Sequence, residues 1–335
     1  MIPAYRARAT VAAVVADALE YAQVVVVVDD GCPEGSGKAV EAAFPGSKQV
    51  RVLRHDRNRG VGAAMKTGIA YAIEDGAEAI VKIDADGQMD CSYIPLIAEL
   101  FANDPTLVCI KGNRFFDSRV LNVMPKRRLL GNAVLSLSAK LASGYWNVID
   151  PTNGYLAFNA ELLELVPWRS FADSYFFEVS VLCELGLQRL PLLELEMPTI
   201  YTSAPSSLSI PRVAFEFPPK LLRMTLRRIM LQYFVFDINL ATVYMVAGAL
   251  LVAFGAIFGG YEWFLSNATG IPRPLGTVML AALPFLMGFQ LLLAATMWDV
   301  QFAQKTRHEL LGRVRKPVRT KFSDDSGEEA GSASA

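Results

Sequence analysis

The chain has 335 residues, 53% of them apolar, with a mean hydropathy of +0.31 and a formal net charge of −1. That charge balance lends no support to nucleic-acid binding, and the hydropathy is high for a purely soluble enzyme, which directs attention to membrane spans. Four scattered cysteines without a CxxC pair, and only two histidines (His55 and His308), offer no zinc-ligand pattern and suit a reducing compartment.

The opening "MIPAYRARAT" has no apolar h-region, so no signal peptide is expected. It leaves little room for a strand before Tyr5, whereas a central parallel strand usually holds about 5–6 residues. Either a short stub pairs there or the natural chain starts upstream. Strand signals follow at 24–29, 50–53, 79–84 and 106–112. Helix signals lie at 9–21, 60–74, 92–102, 127–143 and 173–186. The alternation predicts an α/β fold, a mostly parallel sheet with helices on both faces.

Two of these strands end on acids. "VVVVVDDGCPEGSG", 24–37, is a buried strand stopped by glycines and a proline, with Asp29 and Asp30 where open α/β sheets bind ligands. A carboxylate there can also cap a helix or make an Asx turn. "AIVKIDADGQMD", 79–90, places Asp84 and Asp86 two apart, on one face of an extended backbone, with Gln88 nearby. Such an oxygen set suits Mg²⁺ or Mn²⁺, although a solvated acidic turn reads the same way. Between them, in "NRGVGAAMKTG", Gly60 and Gly62 open a helix whose amides can receive an anion, with Lys66 one turn on. A base or ribose acceptor, a metal site and an anion cradle together are what a nucleotide-diphosphate donor needs.

After residue 211 the composition changes. Residues 212–238 mix bases with large apolar side chains, and past Pro219 they read as an amphipathic helix on a membrane surface or packed on the preceding domain. Residues 239–261 and 274–298 carry no charge, and each is long enough to cross about 30 Å of hydrocarbon. The short loop 262–273 holds one base, Arg273. Lys220, Arg223, Arg227 and Arg228 precede the pair, and a basic segment, 299–322, follows it. This asymmetry predicts a transmembrane hairpin with both flanks, and the large N-terminal domain, in the cytoplasm. The acidic tail 323–335 reads as disordered.

The ordered set "IPAY", "VVVVDDG", "NRGVGAAMKTG", "IDADGQ", "GNRFF", "DPTNGYLAF" and "YFFEVSVLCELG" resembles the motifs of family 2 glycosyltransferases with the GT-A fold. The resemblance covers roughly residues 1–235 and points to the branch of dolichyl- and other polyprenyl-phosphate sugar synthases, which includes membrane-anchored members. It implies a glycosyltransferase domain over 1–211. By that resemblance Pro3 and Tyr5 line the nucleotide pocket, Asp30 reads the base, and Asn58, Gly60 and Lys66 contribute to the donor site. Asp84 and Asp86 hold the metal and diphosphate, with Gln88 assisting. Arg114 lies near the phosphates of donor or acceptor.

The implied reaction moves a sugar from a nucleotide-sugar to dolichyl or undecaprenyl phosphate at the cytoplasmic membrane, with inversion. A hydroxyl acceptor on a glycan or lipid-linked saccharide is the alternative, and a non-catalytic membrane scaffold a third. A hydroxyl needs a carboxylate base, for which Glu178 and Asp150 are candidates, whereas a lipid phosphate arrives already ionised. Many hydroxyl-directed relatives carry a Glu-Asp pair where only Glu178 stands here, which favours a phosphate. The chain also departs from the family at "SSLSIPR", where no lysine follows Ser206 and Ser207 and Arg212 is the nearest cation.

Overall fold

The computed structural model describes residues 1–115, 126–197 and 210–314. The "SSLS" stretch and the tail from 315 onward lie outside these residues. The sheet begins with β1 (Ile2–Ala4), β2 (Val25–Asp29) and β3 (Val50–Arg54), all parallel. A second group comprises β4 (Ala79–Lys82), β5 (Cys109–Asn113), β6 (Leu156–Asn159) and β7 (Leu192–Glu196), in the order β4-β6-β5-β7. Here β6 runs antiparallel to both its neighbours, and β5 and β7 are parallel.

Met1 joins the two groups. Its amine donates to the Val81 carbonyl at 2.7 Å and its carbonyl accepts from Ile83 N at 3.0 Å. The first strand is short: Ile2–Ala4 pair with β2, and Met1 alone bridges to β4. The resulting spatial order is 3-2-1-4-6-5-7. All five residues of β2 are buried, as a strand covered on both faces requires.

Helices α1 (Val11–Leu19), α2 (Ser36–Ala43), α3 (Val61–Glu74) and α4 (Ile94–Asn103) alternate with the early strands. Then come α5 (Lys126–Ser143), the short α6 (Ala160–Glu164) and α7 (Phe177–Leu187). Alternate strand residues feed two cores. Ile83, Ile110 and Ala157 pack with Val11, Val15, Ile97 and Phe101 on one face. Ile80, Cys109, Leu156 and Phe158 pack with Met65, Ile69 and the α7 residues Val181 and Leu185 on the other. Helix α2 and strands β6 and β7 are absent from the sequence reading; the pairing partners of β6 and β7 are distant in the chain.

Helix α8 (Ile210–Ile229) runs into a π-helical turn, Met230–Phe236. Its Phe217 and Leu221 pack on α5 and α7, while its Leu222 and Leu226, and Met230 of the turn, are exposed. One face is thus a packed domain helix and another an apolar surface. Helices α9 (Leu240–Thr269) and α10 (Leu275–Val314) are long and apolar enough to cross a membrane, with mean hydropathies of 2.2 and 2.1 in their most apolar stretches. They pack closely through glycines: a Cβ on Gly248 would lie 2.9 Å from the Gly288 carbonyl oxygen. The first helix continues beyond the uncharged stretch to Thr269, leaving a loop of 270–274, shorter than the 262–273 read from charge. The charges that ended the sequence pattern, Glu262 and Arg273, pair at 2.9 Å.

Candidate active site

The carboxyl ends of β1 and β2 lie side by side, with Ala4 opposite Asp29. Asp29 accepts from the amides of Cys32 and Gly37, both at 2.7 Å, and so holds the turn into α2. Asp30 accepts from His55 Nδ1 at 2.6 Å, Arg59 N at 2.9 Å and Gly60 N at 2.8 Å. A carboxylate can only accept when ionised, so His55 carries its proton on Nδ1 toward Asp30, and its Nε2 pairs with Thr67 Oγ1 at 2.8 Å. Asp30 is buried beneath a rim where Tyr5 and Asn58 are exposed and Pro3 is half-buried.

The anion cradle read from the sequence is filled from within the protein, which corrects that reading. The amides of Gly62 and Ala63 donate to the Asp173 carbonyl, at 2.8 and 3.2 Å, and the Gly60 amide serves Asp30. Lys66 pairs with the Asp173 carboxylate and donates to the carbonyls of Phe171 and Arg169, at 3.0 and 3.3 Å. Segment 171–174 lies across the start of α3; a Cβ on Gly62 would stand 1.9 Å from the Ala172 oxygen. The glycines are there for close backbone approach, and Lys66 ties the two segments together. A contact between residues a hundred positions apart gives no signal in local spacing.

Past β4, Asp84 is partly exposed and one of its oxygens lies 2.6 Å from Lys82 Nζ. Asp86 accepts from Gln88 N at 3.0 Å, and partial burial of its carboxyl raises its pKa above the usual value. Among the described residues no three His, Cys, Asp or Glu side chains gather to hold an ion. The all-oxygen set of Asp84, Asp86 and Gln88 therefore fits a hard divalent cation only as a partial shell, leaving places for water and phosphate oxygens, which is how Mg²⁺ is usually held.

Arg114 follows directly on the carboxyl end of β5. Its Nε and one terminal nitrogen grip Asp150 in a fork, at 2.7 and 3.0 Å, and it also reaches Thr152. Asp150 is fully buried. Read from the sequence as a candidate base, it has both oxygens engaged by the Arg114 guanidinium. Glu178, at the start of α7, is mostly buried and lies 3.3 Å from Lys82 Nζ.

Four residues here escaped the sequence reading. Lys82, fully buried, bridges Asp84 and Glu178 and donates to the Gly154 carbonyl at 2.9 Å. Burial alone would lower its pKa, but the two carboxylates outweigh burial and raise it. Lys111, also fully buried, donates to the Asn153 carbonyl at 2.5 Å, and burial lowers its pKa. Both lysines sit opposite Leu156 in register, so they occupy one row on one face of the sheet. Glu194 accepts from the amides of Ile149 and Asp150, both at 2.9 Å, and burial raises its pKa. Asn153 caps the turn into β6 by accepting from Tyr155 N. A lysine inside each of the apolar strands "AIVKID" and "LVCIKGN" was the available signal, because a buried ammonium demands partners.

Residues 1–166, the N-terminal half of the chain, match the profile of Glycosyl transferase family 2. The chain belongs to that family. It is 29% identical over 190 residues to the UDP-N-acetylglucosamine–dolichyl-phosphate N-acetylglucosaminyltransferase of Methanococcus voltae, covering 53% of this chain and 75% of the other. It is 31% identical over 162 residues to the polyprenol monophosphomannose synthase of Mycolicibacterium smegmatis, covering 47% and 59%. Among solved structures, glucosyl-3-phosphoglycerate synthase of Mycobacterium tuberculosis, in complex with Mn²⁺, UDP and glucosyl-3-phosphoglycerate, matches with a TM-score of 0.46 and 18% identity over 71% of this chain and 80% of that one. The glycosyltransferase is nucleotide-sugar dependent, and its described strands form a mixed sheet with helices between them.

Proposed function

We propose that this glycosyltransferase moves a sugar from a nucleotide-sugar to a polyprenyl phosphate at a membrane surface, with inversion at the anomeric carbon and with the help of Mg²⁺ or Mn²⁺. The observation that carries the reading is the state of the two candidate bases. Asp150 is locked under Arg114, and Glu178 faces the Lys82 ammonium. A hydroxyl acceptor would need a free carboxylate to take its proton. A phosphate monoester brings its own anionic oxygen and needs a cation instead, which Arg114 provides. The relatives named for dolichyl phosphate and polyprenol, and the two long apolar helices, support the same acceptor.

In this reading Tyr5, Pro3 and Asn58 line the nucleotide rim, with Asp30 beneath them. Asp84, Asp86 and Gln88 would hold the divalent ion, which when bound offsets charge on the leaving diphosphate. Arg114, held rigid by Asp150, orients the acceptor phosphate. One acceptor oxygen forms the new bond to the anomeric carbon as the bond to the donor's diphosphate breaks on the opposite side, and the nucleoside diphosphate departs. The hairpin keeps the domain on the cytoplasmic side.

Membranes carrying the protein, incubated with labelled UDP- and GDP-sugars and undecaprenyl phosphate, should yield a labelled lipid that mild acid cleaves. Labelled product that survives mild acid would place the sugar on a hydroxyl instead. Asp86→Ala should abolish turnover, and full activity in EDTA would remove the metal from the reading.

A further inference from the structure

Where the domain meets the apolar hairpin, one carboxylate collects three side-chain donors from two separate parts of the chain. Asp299, directly after the uncharged stretch of α10, accepts from Arg228 Nη1 and Nη2 at 2.8 and 2.9 Å. It also accepts from the Tyr233 hydroxyl at 2.5 Å and from Trp146 Nε1 at 2.8 Å. Arg228 and Tyr233 belong to the α8 helix and its π-helical extension, Trp146 to the loop after α5. Arg228 and Tyr233 are almost wholly buried. A carboxylate buried in protein beside an apolar span needs charge and hydrogen-bond partners, and Asp299 has them.

The same cluster reaches into the catalytic domain. Arg228 also donates to the Leu141 carbonyl, at 2.9 and 3.2 Å, near the end of α5. Gln232, bonded to Arg228 at 3.0 Å, donates to the carbonyls of Gly186 and Leu187, at 2.8 and 3.1 Å, which close α7. Helix α7 carries Glu178 at its other end. An unbroken set of hydrogen bonds therefore runs from the apolar hairpin through Asp299 and Arg228 to the helices that frame the active site.

We propose that Asp299 is a positioning residue that fixes the catalytic domain rigidly on the hairpin and so sets the height of the active site over the bilayer. Resting on the polyprenyl-phosphate reading above, the joint serves an acceptor whose phosphate cannot leave the headgroup plane. A domain on a loose tether would meet that phosphate at varying height and angle. The joint holds Arg114 and Glu178 at one level.

The test uses the full chain in vesicles, with spin labels at positions Lys48 and Asn267, on the catalytic domain and at the far end of the hairpin. The expected wild-type distance distribution is narrow, and Asp299→Ala should broaden or shift it. With undecaprenyl phosphate in vesicles, the variant's kcat/KM should fall about 10- to 100-fold, while with water-soluble citronellyl phosphate it stays within about twofold. An unchanged distance distribution overturns the proposal, as does an equal loss on both acceptors, which would mark a general structural role. If Asp299→Ala fails to fold, Trp146→Phe removes one donor and is read the same way. A wild type that transfers sugar to neither phosphate defeats the acceptor reading, and the distance measurement still decides the joint.

Discussion

Replacing Lys82 with methionine keeps most of the side-chain volume and removes the ammonium that Asp84, Glu178 and Gly154 share. Glu178 has 12% of its side chain exposed, so the lost cation leaves a nearly buried carboxylate without its counter-ion. Breaking a buried pair in this way typically costs about 3–5 kcal/mol. Asp84 is 35% exposed and recovers part of its share from water. A net loss of about 3–4 kcal/mol corresponds to a drop of roughly 6–16 °C in the melting temperature of a domain this size. Thermal unfolding of the full chain in detergent with EDTA reads this without a metal to compensate. Lys82→Met/Glu178→Gln should recover about half of the loss, because the stranded charge is gone. The raised Lys82 pKa fixes the pH window. Its stabilisation is complete below the ordinary lysine value of 10.5 and is lost as pH rises through the higher folded value, so the gap between wild type and variant should close only in strong alkali. A single variant melting within about 2 °C of wild type, or a double variant no more stable than the single, would refute the reasoning.

Arg114→Lys keeps the charge but loses the fork onto Asp150, and turnover should fall roughly tenfold or more; steady-state kinetics with saturating donor measure it, and full activity would dismiss the fork. Gly62→Ala forces α3 away from segment 171–174, with an expected loss of about 2–4 kcal/mol from overpacking and a broken hydrogen bond. A wild-type melting temperature would show that the contact yields freely. Burial pushes the thiols of Cys91, Cys109 and Cys183 up to about 12. For Cys32 burial acts in the same direction, but hydrogen bonds involving Ser36 and neighbouring amides outweigh it and lower the value. Only Cys32 should therefore react with a thiol reagent at neutral pH in the native protein; mass spectrometry finding a second modified cysteine would contradict the packing.

The apolar runs and their terminators disclosed the α/β class, because a strand buried on both faces must be apolar throughout, and a helix opening needs turn residues, wherever the partners lie. The acids at 84 and 86 and the uncharged stretches at 239–261 and 274–298 were legible for the same local reason. The glycine-rich opening of α3 was legible as a feature and misleading as a site. Its sequence says that backbone comes close, and only the folded chain says that this backbone is segment 171–174 and not a phosphate. Asp150 shows the same limit: a carboxylate near a motif reads as a base until Arg114 is seen gripping it. Lys82, Lys111 and Asp299 were hidden because the meaning of a buried charge lies in its partners. Those partners come from α7, from the turn before β6, from the loop after α5 and from α8 with its π-helical turn. Local sequence determines which residues must be buried or must turn, since propensity and hydrophobic period act over a few positions. Which charges meet is decided only by tertiary packing, since electrostatic pairing depends on distance in space and not on distance along the chain.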